Sequence, residues 1–355
     1  MRNTLFIITL FFSIGLSAQN IKFINYQNAT INAEKCLMQA GFFEANDYYH
    51  KAFNEGVIPF NDDLNNALIT SLMCNDTALI RYCTAEMYAR SINVNVYSKY
   101  MTSLKDLKGY DYLQRVVADS TSYRLNSKID IEYNRVIDSL FKIDQTVRHD
   151  AFNKTQEKAM SDIYSTDSLN YLFFIKYIKQ RGFYPAENQI KTFGGNISGS
   201  SKLEIMFKHW TTLKKEFNYL LEILKKEVYK GNYKPELYAY FYDCHLTYKM
   251  GCYNTLKWYS VKKMKHKYVK KHFYYGTGYF YKKSGANFDF RDYSTVPKHL
   301  EKLTLSKSQI KAINKFRAKI NMESVQDSFN KIEFQNTISK YGFIFYTSCF
   351  YPIFD

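Results

Sequence analysis

The chain has 355 residues, with 49 Lys and Arg against 33 Asp and Glu for a formal charge of +16, and 33 Tyr and 28 Phe beside only 14 Gly and 5 Pro. That length can bury two ordinary domain cores, and the composition excludes a low-complexity or collagen-like chain while suiting long helices. The positive balance favours solubility and attraction to anionic surfaces.

Met1-Arg2-Asn3-Thr4 precedes an apolar run from Leu5 to Leu16, followed by Ser17-Ala18-Gln19-Asn20. The run is too short to cross a bilayer as a stable helix, and the small residues before Gln19 fit cleavage after Ala18. Residues 1–18 therefore read as a secretory signal peptide, and the protein as exported: periplasmic, outer-membrane associated or secreted. No later stretch has spanning length, so no transmembrane segment is expected after signal removal. Cys36, Cys74, Cys83, Cys244, Cys252 and Cys349 form no C-x-x-C pair and no Cys/His metal pattern, so scattered thiols are favoured over disulfides.

Residues 19–130 read as a helical, repeat-like domain. Ile31 to Gln39 predicts one helix and Glu44 to Phe53 the next, antiparallel across a turn at Gly41, with Ala45 and Ala52 small enough for close backbone approach. This pair resembles the second helix of a tetratricopeptide repeat, over about one repeat unit. Asn61-Asp62-Asp63 and Asn75-Asp76-Thr77 are N-cap signals for helices over Leu64–Cys74 and Ala78–Ala89. Short helices are also expected near Leu104–Leu113 and Tyr110–Val117.

Residues 131–330 read as a second helical domain. Val136, Leu140, Ile143 and Val147 recur at helical spacing and predict a core stripe, with Asp144 and Arg148 one turn apart beside it. Thr166-Asp167 then reads as an N-cap pair for a helix burying Leu169, Leu172, Phe173, Ile175 and Ile178, ending at Gly182 with Pro185 beyond. Ser201-Lys202-Leu203-Glu204 is a capping box opening one long helix to Val228, with His209 at the edge of its seam. Pro235 fits the first turn of the next helix, which carries Tyr238, Ala239 and Asp243. Ser306 to Met322 is amphipathic, and residues 331–355 form an aromatic tail. The predicted fold is mainly α: N-terminal antiparallel helix pairs, then a helical bundle with a small irregular or β hairpin element turning at Tyr275–Tyr279.

The order Asp144-Gln145-x-x-Arg148, Asp167-x-x-Asn170, Gly182-x-x-Pro185, His209, Tyr238-Ala239 with Asp243, and Tyr275-Gly276-Thr277 resembles an uncharacterised family of bacterial helical domains, over about 130–330. That family's landmarks read Asp-Gln-x-x-Arg, a Gly-x-Pro turn, Gln-His, Leu-Ala-x-x-x-Asp-Arg and Tyr-Gly-Thr-Gln. Here Lys208, Cys244 and Gly278 depart from them. The resemblance supplies candidate residues without a reaction.

Asp144, Arg148, His209 and Asp243 suffice in type for general acid/base work, with Gln145, Tyr238, Tyr275 and Thr277 as ligand-binding candidates. A carboxylate beside His209 would hold one ring tautomer, and Arg148 could take an anionic group bidentately. The same types also suit a plain structural ion pair. No H-E-x-x-H, P-loop or G-x-S-x-G pattern occurs, so no metal and no cofactor is expected.

Between Asp243 and Asp289 there is no acidic residue but ten lysines, interleaved with aromatic rings. Lys262, Lys263, Lys270 and Lys271 are its candidate contacts to a polyanion. For an exported protein, another protein or an anionic envelope polymer is a more natural partner than nucleic acid. The leading expectation is a partner-binding or scaffolding module. The alternatives are an enzyme, with hydrolase the favoured class, using Asp144, Arg148, His209 and Asp243, and a binder of anionic glycan or other polyanion through residues 249–283.

Overall fold

The structure, a computed structural model, describes residues 21–94, 102–119, 127–192, 201–213, 216–249, 281–283, 300–302 and 307–338. Twelve helices account for most of them: α1 (21–38), α2 (Phe42–Asn54), α3 (Asn61–Cys74), α4 (Thr77–Ala89), α5 (Tyr110–Ala118), α6 (Ile131–Asp150), α7 (Gln156–Arg181), α8 (Lys202–Trp210), α9 (Glu216–Tyr229), α10 (Pro235–Lys249), α11 (Lys307–Ala318) and α12 (Val325–Ile338). The fold is mainly α, as predicted. A short antiparallel ribbon, β1 (Tyr281–Lys283) with β2 (Leu300–Lys302), is the one strand pair among the described residues. The expected turn at Tyr275–Tyr279, the rest of the basic window and the aromatic tail from Tyr341 lie outside them.

In the first half α2 packs on α3, α3 on α4 and α4 on α5. Ala45 and Ala52 are fully buried, as close approach of α2 to its neighbours requires. Asp76 caps α4 by accepting from the Leu79 amide at 3.0 Å. Two expectations shift: the first helix is already present at residue 21 rather than beginning at Ile31, and Asn61, Asp62 and Asp63 lie inside the first turn of α3, where carboxylates meet the positive end of the helix dipole. Cys36, Cys74, Cys83 and Cys244 are free thiols.

The second half departs further from the sequence pattern. Helix α7 starts at Gln156, not after Thr166-Asp167, because no Gly or Pro interrupts it and a buried face runs through Ala159, Asp167, Asn170, Tyr171, Phe174 and Ile178. Leu169, Leu172 and Phe173 consequently point outward, at 65%, 57% and 52% exposure. On α6 the buried stripe is Tyr133, Ile137, Leu140 and Asp144, while Ile143 is exposed. The long helix expected from Ser201 to Val228 is two helices. The Ser201/Glu204 capping box opens α8, but Thr211 and Thr212 turn their hydroxyls back onto the Lys208 and His209 carbonyls, at 2.6 and 3.0 Å, and the helix ends. Gly182 caps α7 in the left-handed region, φ 75°, as its position predicts.

The larger hydrophobic core joins the bundle to the start of the chain: Phe23, Tyr26 and Phe60 belong to it together with Phe174, Phe207, Trp210 and Phe241. A buried polar hub ties the far end of the chain to α1. The Lys331 ammonium on α12 donates to both Glu34 on α1 and Glu323, and Ser328 donates to Glu323 at 2.7 Å. Burial pushes the Glu34 carboxyl up; Glu323 is held low, Lys331 and Arg317 outweighing burial. Lys331→Met leaves two buried carboxylates facing one fewer cation, and is expected to cost about 3–5 kcal/mol in urea unfolding at neutral pH. The deficit should narrow as acid protonates Glu34; a loss below about 1 kcal/mol would mean that the hub is not a tie.

Candidate functional site

The site is built where α6, α7 and α8 meet. An aromatic cluster seats α8: Trp210 meets Phe207, Phe174 and Tyr171 at ring-centroid distances of 5.5, 5.7 and 5.8 Å, and Phe207 meets Phe241 at 5.7 Å. That packing fixes the last turn of α8, and with it His209, against the C-terminal part of α6 and the middle of α7. Asn170 reaches from α7 to the Leu140 carbonyl of α6 at 3.3 Å, setting the register between them.

Asp144, on the buried stripe of α6, has no exposed side-chain surface. Its Oδ1 lies 3.0 Å from His209 Nδ1 and 3.1 Å from Arg148 Nη2, and its Oδ2 accepts from Gln145 Nε2 at 2.7 Å. Arg148 Nη2 also donates to Asp167 Oδ1 at 2.7 Å, and its Nε donates to His209 Nδ1 at 3.1 Å. Arg148 and His209 each keep 23% of their side-chain surface open to solvent, whereas the two carboxylates lie beneath. His209 Nε2 has no protein partner among the described residues.

The two carboxylates are driven apart in acidity. Burial pushes Asp167 up to about 6, against the pull of Arg148. For Asp144 burial also pushes upward, but the His209 hydrogen bond and charge, Arg148 and Gln145 outweigh it and hold the carboxyl below the usual range. A pair separated in this way is the arrangement that assigns one carboxylate to hold charge and the other to hold a proton.

Asp144, Arg148, His209 and Gln145 are thus brought together as the sequence suggested. Asp167, which its sequence position beside Thr166 suggests as a helix cap, joins them instead. The signal for it was present: Asp167-x-x-Asn170 opens a polar stretch on the face that continues the buried stripe of α7. Asp243 is buried on α10 and is not among the acidic and imidazole groups that meet here, and Tyr238 is a core residue with its ring 6.0 Å from that of Tyr242. Tyr275, Thr277, Lys262, Lys263, Lys270 and Lys271 lie outside the described residues. Bidentate capture of an anion by Arg148 needs revision, since Nη2 and Nε are already engaged by Asp144, Asp167 and His209.

One ligand atom each of Asp144, Asp167 and His209 falls within 4.8 Å of the others, a spacing that invites a cation. Arg148 already supplies one, its Nη2 standing 2.7 and 3.1 Å from the same carboxylate oxygens. An ion bound there would have to displace the guanidinium. The chain matches no family model, no curated protein and no solved structure.

The raised Asp167 acid binds its proton more tightly in the folded chain, so its contribution to stability is present below the unfolded carboxyl range and lost as pH rises through about 6. Asp144 behaves oppositely, its contribution being present above that range and lost in acid. The stability of the wild type relative to Asp167→Asn should therefore fall by on the order of 2 kcal/mol between about pH 4 and about pH 7, measured by urea unfolding. A pH-independent difference would refute the inverted acidity of the pair.

Proposed function

We propose that the Asp144–His209 pair is the proton-transfer unit of an enzymatic site, with hydrolysis as the reaction class that fits it. The observation that carries this is the contact between Asp144 Oδ1 and His209 Nδ1 in a part-exposed position, with Nε2 left over. With its proton on Nδ1, donated to the buried carboxylate, the imidazole presents the Nε2 lone pair outward as a general base, and Asp144 stabilises the imidazolium that forms. His209 and Arg148 keep Asp144 ionised, and Asp167 takes up a proton as pH falls through about 6. The leader-like residues 1–18 support reading this as chemistry of an exported protein, in an envelope or extracellular setting.

In a screen of chromogenic ester, amide and glycoside substrates, the full chain is expected to turn over one class. His209→Gln should lower kcat/KM by about 10²–10⁴-fold with unchanged far-ultraviolet circular dichroism. Full activity in that variant, or no turnover in any class, would sink the proposal.

A second reading, a partner-binding module, is favoured by a different observation: Leu169, Leu172 and Phe173 make an apolar patch on the outer face of α7. If that patch docks a partner, Leu172→Glu with Phe173→Glu should abolish capture of any protein co-purifying with the wild type while leaving the melting temperature unchanged. Undiminished capture would remove this reading.

A further inference from the structure

His209 Nδ1 has two neighbours that require opposite things of it. Arg148 Nε–H, at 3.1 Å, needs a lone pair there; Asp144 Oδ1, at 3.0 Å, needs a proton. One ring nitrogen cannot satisfy both at once. When Nδ1 is bare it accepts from Arg148 and the ring proton sits on Nε2. When Nδ1 carries a proton it turns to Asp144, and the Arg148 Nε–H faces another N–H and must leave it.

We propose that His209 gates Arg148: a proton on Nδ1 releases the Arg148 Nε–H edge, which then binds a small oxyanion such as a carboxylate, sulfate or phosphate group of the substrate. This rests on the acid–base reading of the same cluster and adds to it a ligand class and a control. Two ring forms free Arg148: the neutral Nδ1–H tautomer, which leaves Nε2 as a base, and the imidazolium, in which Nε2 also carries a proton and is an acid; Asp144 accepts from Nδ1 in both.

Charge supports the same direction. With both carboxylates ionised and the imidazole neutral, Asp144, Asp167, Arg148 and His209 together carry one net negative charge, which repels an anion. A proton on His209 makes the group neutral, and a second on Asp167, whose acidity is weakened to about 6, makes it positive by one. Other charged or titratable groups at α8 are Lys202, Glu204 and Lys208 on the helix itself, Asp138 of α6 paired with Lys202 at 2.6 Å, and, from α10, the buried Asp243, Cys244 near Lys208, and His245 bonded to the Thr211 carbonyl at 2.9 Å.

The test uses sodium sulfate on the full chain at constant ionic strength, following the His209 ring nitrogens and Arg148 Nε by nitrogen-15 NMR. Sulfate stays fully ionised across the range. Its affinity at Arg148 should be at least about tenfold tighter at about pH 5.5 than at about pH 8, and by reciprocity saturating sulfate should raise the His209 titration midpoint by about one pH unit. Arg148→Gln should abolish both effects, and His209→Gln should leave sulfate binding with most of its pH dependence gone. An unmoved His209 midpoint overturns the gate, as does equal sulfate binding in Arg148→Gln, which would mean an adventitious ion only. The measurement on the unaltered chain needs no variant to fold. It also needs no turnover, so its failure leaves the hydrolytic reading standing, and a failed substrate screen leaves the sulfate result interpretable.

Discussion

A carboxylate that stays ionised beneath a helical bundle must be surrounded by donors, and Asp144 is placed where that requirement organises three helices. Its side chain has no exposed surface, and it occupies the position where the buried stripe of α6 would otherwise carry a Leu or Ile. Gln145 and Arg148 come from the same helix, His209 from the end of α8, and Asp167 from α7 through Arg148. Removing water from one charge thus sets the local approach of all three.

Apolar packing makes that approach affordable. Trp210, Phe207 and Phe174 interlock directly beside His209, so the imidazole sits on a rigid turn rather than on a loop. The break after Trp210 matters as much. Had α8 continued toward Val228, its last-turn carbonyls would be engaged by intrahelical bonds; the Thr211 and Thr212 hydroxyls instead bond the Lys208 and His209 carbonyls, and the helix ends at Trp210, the residue after His209.

Much of this was legible in the chain, and the parts that were not share a cause. Helix existence followed from periodicity, and Asp76, Ser201 and Gly182 mark their helix ends as local chemistry says they should. The Asp144, Arg148 and His209 trio followed from residue type and order. What failed was the choice of face at some positions. On α6 Leu140 is buried and Val136 packs on the core as expected, and on α7 Ile175 and Ile178 are buried, but Ile143, Leu169, Leu172 and Phe173 face outward and Tyr133, Ile137, Tyr171 and Phe174 complete the buried faces beside Asp144, Asp167 and Asn170. A hydrophobicity pattern scores those polar positions as outward. Only tertiary pairing turns them in, which is also why Asp167 looked like a cap. The break at Thr211-Thr212 was invisible for a similar reason, since the apolar spacing carries straight across it.

The Lys331 hub has a consequence for how the molecule comes together. Glu34 and Lys331 are nearly three hundred positions apart in the chain. Without α12 in place, the first helix would bury a carboxylate that lacks its countercharge. The hub is therefore a contact of high sequence separation, in which the last described helix supplies the cation to the first.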